Sequence, residues 1–383
     1  MSSRRLNESM KIFPTQEVGS LSKAPFLKKL TKRRIEETRC WGELLGVEGL
    51  DELLNLLSDP SKAHKNMDKL YDYASLFAIR FFEKAGLDVV WDGEQRRIEM
   101  YEHPLRYVEN FKFLDVVKVW DNEFYRKGAF TGEPKLKKPY HLDEFIFVKK
   151  HARREIKIPI TGAYTLADWS FDEYYLKRYL DLDDPIGARR RAKEDLVMDL
   201  AKNILRPNIL ALAEAGARRI QIDEPAVTSK PDEVPLMVEA LNESVRGINA
   251  KITLHVCYSD YRMLFPHIAE ARLDQISIEC ANRDTRELGL DDERRRGYHI
   301  LDYFREYTPW LEVAVGVIDV HTDFIESPEL VRDRLIYAAK RLGDESKIVA
   351  CNDCGLRTRS WDAAFKKEVN LVKGAELARE LFK

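Results

Sequence analysis

The sequence has little cysteine: five residues in 383. An odd number of thiols in so long a chain does not read as a disulfide framework. In a reducing compartment they serve as free thiols or metal ligands. Charge of either sign is also missing in excess, since 63 basic and 65 acidic residues leave a net −2. That balance argues against a general nucleic-acid binder, which would carry a basic surplus. No apolar run approaches the roughly 18 residues needed to span a membrane. The opening MSSRRLNESMK lacks the apolar stretch of a signal peptide, so the expectation is a cytosolic protein with no membrane partner. There is no low-complexity tract. No Gly-x-Gly-x-x-Gly follows the first strand-like run, which weakens a doubly wound dinucleotide-binding sheet.

What is present is a core and a period. At 44% hydrophobic and 33% charged, the chain can bury a large interior. Eight short β-rich runs end in polar residues: 11–20, 86–94, 156–165, 217–226, 250–259, 273–281, 311–321 and 346–355. Their continuous Val/Ile/Leu stretches suit strands buried on both faces. Helical patterns lie between them. Residues 63–85 carry Leu70, Ala74, Phe77 and Phe81 at helical spacing, with Gly86 as the stop. Residues 191–215 read as a long helix kinked or broken at Pro207. Residues 327–343 have Ser327 as cap, Pro328 at the first position and Gly343 at the end. The fold expected is α/β, a single (β/α)8 TIM barrel over the whole chain. One connection, 95–156, is too long; with FKFLDVVKVW and GAFTGEPKL it reads as a hairpin or small subdomain inserted between strands two and three. Residues 1–9 are expected to be loose.

Barrel active sites form at the C-terminal ends of the strands, and here those ends carry Ser20, Glu94, Asp223, Glu224, His255, Cys257, Glu279, His321 and Cys354. In LHVCYSD, His255 and Cys257 stand two apart, on one side of a strand. They are either core fillers or ligands. Glu279 ends QISIE, where a lone carboxylate is costly unless paired. Cys354 ends the last run. Two thiolates, an imidazole and a carboxylate make a four-ligand zinc set. Cys351 forms a C-x-x-C with Cys354 but falls inside the strand, pointing elsewhere. Cys40 and Cys280 read as structural. Asp223 and Glu224 in IDEPA are a solvated pair or an acid for a substrate ammonium, and Glu94 in WDGEQ has the same reading. Gly19-Ser20 is an ordinary turn or an anion cradle. His321 is a satisfied polar residue or a general acid. Trp169 packs, or stacks on a ligand.

Taken together, EVGS, DGE, DWSF, IDEPA, HVCYS, ISIE, VIDVH and NDCGLRTR resemble, in order and from about residue 11 to residue 375, the C-terminal catalytic barrel of cobalamin-independent methionine synthase. The resemblance implies that His255, Cys257, Glu279 and Cys354 bind zinc. It implies that Ser20 holds the homocysteine carboxylate, that Glu94 and Asp223 hold its amino group, that His321 relays protons and that Trp169 lies beside a folate. The long enzymes of the family duplicate the barrel; this chain has one copy and resembles the short, mostly archaeal form. Its Val-Gly-Ser replaces the family's Ile-Gly-Ser. The implied methyl donor is a methyl-corrinoid, free or protein-bound, or 5-methyltetrahydrofolate. A folate nitrogen would need a proton as it leaves, whereas cobalt would not. The other readings are zinc-dependent alkyl transfer to coenzyme M, which has no ammonium for Glu94 and Asp223 to meet, and a non-catalytic zinc-stabilised binding module.

Overall fold

The computed structural model describes residues 11–118 and 124–382; the expectation for residues 1–9 lies outside them. Eleven strands follow one another in the described chain: β1 (Val89–Val90), β2 (Val108–Lys118), β3 (Phe124–Leu136), β4 (Glu155–Ile156), β5 (Ile158–Thr161), β6 (Phe171–Asp172), β7 (Arg219–Asp223), β8 (Lys251–Val256), β9 (Gln275–Ile278), β10 (Glu312–Ile318) and β11 (Ile348–Asn352). A six-stranded sheet runs β11-β10-β9-β8-β7-β5, parallel at each pairing. Its residues are buried almost throughout, as continuous apolar runs require in a sheet covered on both faces.

The last six of the eight runs therefore contain sheet strands. The second shrinks to β1, which pairs with β4. The first forms no continuous strand. Thr15 bridges Ala350 and Gln16 bridges Val89. Pro14 has no N–H to give, and Phe13 before it has a positive φ of 49°, so a regular ladder cannot run through them. Lys157 separates β4 from β5 and sends its amine inward, onto the carbonyls of Glu17 (2.6 Å) and Val18 (3.2 Å) and the side chain of Gln221.

Helices connect most of the strands. The expected helix over 63–85 is two, Pro60–Lys65 and Met67–Ala85, stopped by Gly86 at φ 99°. The stretch expected to kink or break at Pro207 is interrupted just before it without stopping: helix Pro185–Leu200, a π turn Ala201–Leu205, then helix Arg206–Glu214. A proline frees the carbonyl four residues before it, here Asn203, and the backbone widens by one residue there rather than stopping. Pro328–Leu342 is capped by the Ser327 side chain on Leu330 N–H and closed by Gly343 at φ 84°. Between β8 and β9 the expected helix is replaced by two short 3-10 turns. No helix of the described residues is long and apolar enough to cross a membrane.

The long connection holds an antiparallel hairpin, β2 with β3, as its sequence suggests. Its third strand, β6, comes from beyond residue 156 and pairs with Ala129 and Phe130.

Candidate functional site

Four expected metal ligands sit at or just past the ends of three strands, β8, β9 and β11, with β10 between the last two. His255 is near the end of β8 and Cys257 one residue past it; Glu279 follows β9 and Cys354 follows β11. One ligand atom from each of His255, Cys257 and Cys354 lies within 4.8 Å of the others. Ser277 Oγ meets His255 Nδ1 at 3.1 Å. The other nitrogen, Nε2, is buried with no hydrogen-bond partner. A buried imidazole nitrogen left over beside two sulfurs fits a soft-to-borderline cation such as zinc. The Cys257 thiol and the His255 imidazole hold Cys354 well below the usual thiol range, while the contact with Cys354 and burial push Cys257 up. One sulfur is thus already biased toward thiolate.

Glu279 is not among the atoms within that distance. Its Oε2 accepts from the Tyr258 N–H (2.9 Å) and the Asn282 amide (3.1 Å), and its Oε1 lies 3.2 Å from His321 Nε2. Burial raises its pKa, but the bonds from His321 and Tyr258 outweigh that and leave it low. The Glu279 contact in turn raises His321, and the Tyr258 hydroxyl lies 3.1 Å from His321 Nδ1. Tyr258 holds a positive φ of 55°, a strained setting for a non-glycine residue. Cys351 points away: it is fully buried, with Gln16 Nε2 3.9 Å from its sulfur. Cys280 is buried and Cys40 is exposed on the helix Lys32–Leu45.

A cavity of about 610 Å³ opens over the two sulfurs, lined among others by Ser20, Glu94, Trp169, Cys257, His321 and Cys354. Gly355 packs so closely on Ser20 that any Cβ would run into Oγ, and Leu356 N–H holds the Ser20 carbonyl at 2.7 Å. Glu94 follows Gly93; both have positive φ, 55° and 64°, and the Glu94 N–H is held by Asp92 Oδ1 at 2.9 Å. A Cβ on Gly19 would stand 2.9 Å from Glu94 Oε1. Asp223 takes a bond from Gln221 (2.7 Å), and burial raises its pKa to about 7. Glu224 does something else: its carboxylate accepts from the N–H groups of Tyr164 (3.1 Å) and Thr165 (2.7 Å), at the start of the helix Ala163–Asp168. Trp169 stacks on Tyr125 of the hairpin at 5.5 Å and 19°.

Several contributors escaped the sequence. Tyr258 carried a signal, since it directly follows Cys257. Asp353 carried one too, standing just before Cys354; its carboxylate takes the N–H groups of Cys280, Ala281 and Asn282 at 2.8, 2.9 and 2.7 Å and so ties the end of β9 to the end of β11. Arg357, within the NDCGLRTR motif, lines the same cavity, as do Tyr125 and Glu99 from segments with no local mark.

Residues 58–377 match the family model described as cobalamin-independent synthase, catalytic domain. A methionine synthase of Thermoplasma acidophilum is 36% identical over 371 residues, covering 94% of this chain and 96% of that one. A methionine synthase of Pyrococcus horikoshii is 40% identical over 311 residues, covering 80% and 82%. Among solved structures, a B12-independent methionine synthase from a Shewanella species, in complex with selenomethionine, superimposes with a TM-score of 0.71, 24% identity and coverage of 97% of this chain and 99% of that one. At that identity the likeness concerns the α/β fold alone.

Proposed function

The chain belongs to the cobalamin-independent methionine synthase family, by its catalytic domain, and from that premise we propose that it is a zinc-dependent cytosolic enzyme transferring a methyl group to the thiol of homocysteine. The observation that carries this reading is the convergence of His255, Cys257 and Cys354 within 4.8 Å, under a cavity whose wall offers Ser20 and Glu94. These three residues would hold the zinc, with Glu279, now engaged by His321, as the fourth ligand. Zinc, when bound, stabilises a thiol as thiolate near neutral pH.

The chain's own residues do the rest. Ser20 receives the substrate carboxylate. Glu94 and Asp223, on separate strand ends, receive the ammonium, which would draw Asp223 back to its ionised form. The substrate sulfur then attacks the donor methyl in line with its leaving group. His321, raised by Glu279, holds a proton at Nε2 that a departing folate nitrogen could use; Trp169 flanks that donor. A methyl-corrinoid, free or carried by a protein, would leave without the proton. We further read the fold as one (β/α)8 barrel, the single-bridge segment 14–16 completing the ring between β11 and β1 and β4 continuing into β5, with about 95–156 as an inserted subdomain.

The test is methionine formation by the zinc-loaded protein from homocysteine with methylcobalamin or, separately, monoglutamate methyl-folate. Activity is expected with methylcobalamin, and slow or no turnover with the folate. Cys354→Ser should lose zinc and activity together, while Cys351→Ser keeps both. No methionine from either donor, or zinc loss in Cys351→Ser but not Cys354→Ser, would overturn the reading.

A further inference from the structure

The hairpin begins at Val108 and returns at Leu136, which are paired with each other. A histidine stands just outside each foot. His103 lies in the short helix Glu102–Leu105 before it, and His141 directly precedes the helix Leu142–His151 after it. The two rings stack at 4.9 Å, only 9° from parallel. Glu144, one turn into the second helix, brings Oε1 to 3.5 Å from His103 Nε2 and 3.3 Å from His141 Nδ1. One ligand atom from each of the three lies within 4.8 Å of the others. The Nδ1 of His141 is buried and has no hydrogen-bond partner.

Donor atoms about 2.1 Å from a tetrahedral ion stand about 3.4 Å from each other, so two of the three separations are already those of a ligand set. The rings need only turn from parallel to aim both lone pairs at one point. The carboxylate is oriented for it: Arg97 Nε donates to Oε2 at 2.9 Å, which leaves Oε1 facing the imidazoles. Such an outer bond is what usually fixes a metal-ligating carboxylate.

We propose that His103, His141 and Glu144 form a second metal site, for a divalent ion of the zinc class, which clips the two feet of the hairpin together. Imidazole and carboxylate donors suit zinc, cobalt and nickel rather than magnesium or calcium. The clip closes the chain between residues 103 and 141, and so fixes how the hairpin stands over the cavity. It also bears on the cavity directly: Arg97 reaches Glu94 Oε1 at 3.5 Å and the Pro159 carbonyl at 2.8 Å.

Cobalt titration of the metal-free full chain tests this apart from the thiolate site, because sulfur ligation gives a near-ultraviolet charge-transfer band and a nitrogen–oxygen set does not. The expectation is two equivalents per chain, one with that band and one showing only weak visible absorption. His103→Ala should bind one equivalent and keep the charge-transfer band; Cys354→Ser should bind one equivalent without it. A wild-type chain that saturates at one equivalent, or a second equivalent that persists in His103→Ala, overturns the proposal. Loss of the charge-transfer band alone would count against the proposed methyltransfer site and leave this one standing.

Discussion

Asp223 and Glu224 are adjacent, equally acidic and differently employed. Glu224 spends both oxygens on backbone N–H groups, whereas Asp223 accepts from one side chain and stands at the mouth of β7. Only the second has capacity for a ligand cation. Asp223→Asn and Glu94→Gln should each weaken homocysteine binding about ten- to a hundredfold, as expected for a charged hydrogen bond of about 1.5–3 kcal/mol, with the zinc content unchanged; isothermal titration against metal analysis separates the two. Unaltered affinity in both would remove the ammonium cradle. At this scale the alternation of a strand was enough to bring His255 and Cys257 to one side, and the position of Cys351 inside β11 was enough to set it apart from Cys354. The direction of the Glu279 carboxylate was not legible. It is decided by His321 and the Tyr258 N–H, 42 and 21 residues away, and no local pattern encodes such partners.

Among the elements, the helix Pro328–Leu342 was readable to the residue because its stop and start signals are local: a serine cap, a proline in the first turn, a terminal glycine. The hairpin was one of two readings of FKFLDVVKVW and GAFTGEPKL, beside a small subdomain. Its partner β6 was not readable, since two residues pairing across some forty others leave no period behind. Nor was the fate of Pro207 readable, because a kink, a break and a π turn all satisfy a missing N–H. The hairpin matters to the donor. Trp169 has Tyr125 stacked on one face, and Tyr101 packs near it at 6.2 Å, so the indole is already engaged by protein. Trp169→Ala should therefore change the methylcobalamin-dependent rate by only a few fold. Fast methyl-folate turnover that collapses in the same variant would restore a folate donor.

For the molecule as a whole, three carboxyls are buried around the end of β11 and its flanking segments, those of Glu17, Asp353 and Glu368. Glu17 is buried with no hydrogen-bond partner for either oxygen, and burial raises it from 4.5 to about 7. Asp353 rises to about 7 and Glu368 to about 8 for the same reason. A carboxyl whose folded pKa exceeds its unfolded one contributes stability below the unfolded value and loses it as pH climbs through the folded value. Wild-type stability should then fall from about pH 4.5 to about pH 8, and Glu17→Gln should flatten part of that slope. The variant should gain about 3 kcal/mol over wild type at pH 8 and almost nothing at pH 4.5, measured by denaturant titration at fixed zinc. An equal gain at both values would mean that charge is not the cause.

The segment that carries Glu17 also carries Ser20, and its backbone is fastened on both sides: Pro14 and Gln16 to Ala350 and Ser20 to Leu356 on one, Thr15 to Asp88 and Val89 and Leu21 to Gly93 on the other, with Lys157 and Gln221 on its Glu17 and Val18 carbonyls. A substrate seated between Ser20, Glu94 beyond β1 and the proposed metal site at Cys354 beyond β11 would span that segment and both its neighbours. It would act as a suture, so that occupancy of the cavity and cohesion of the three segments become the same free energy.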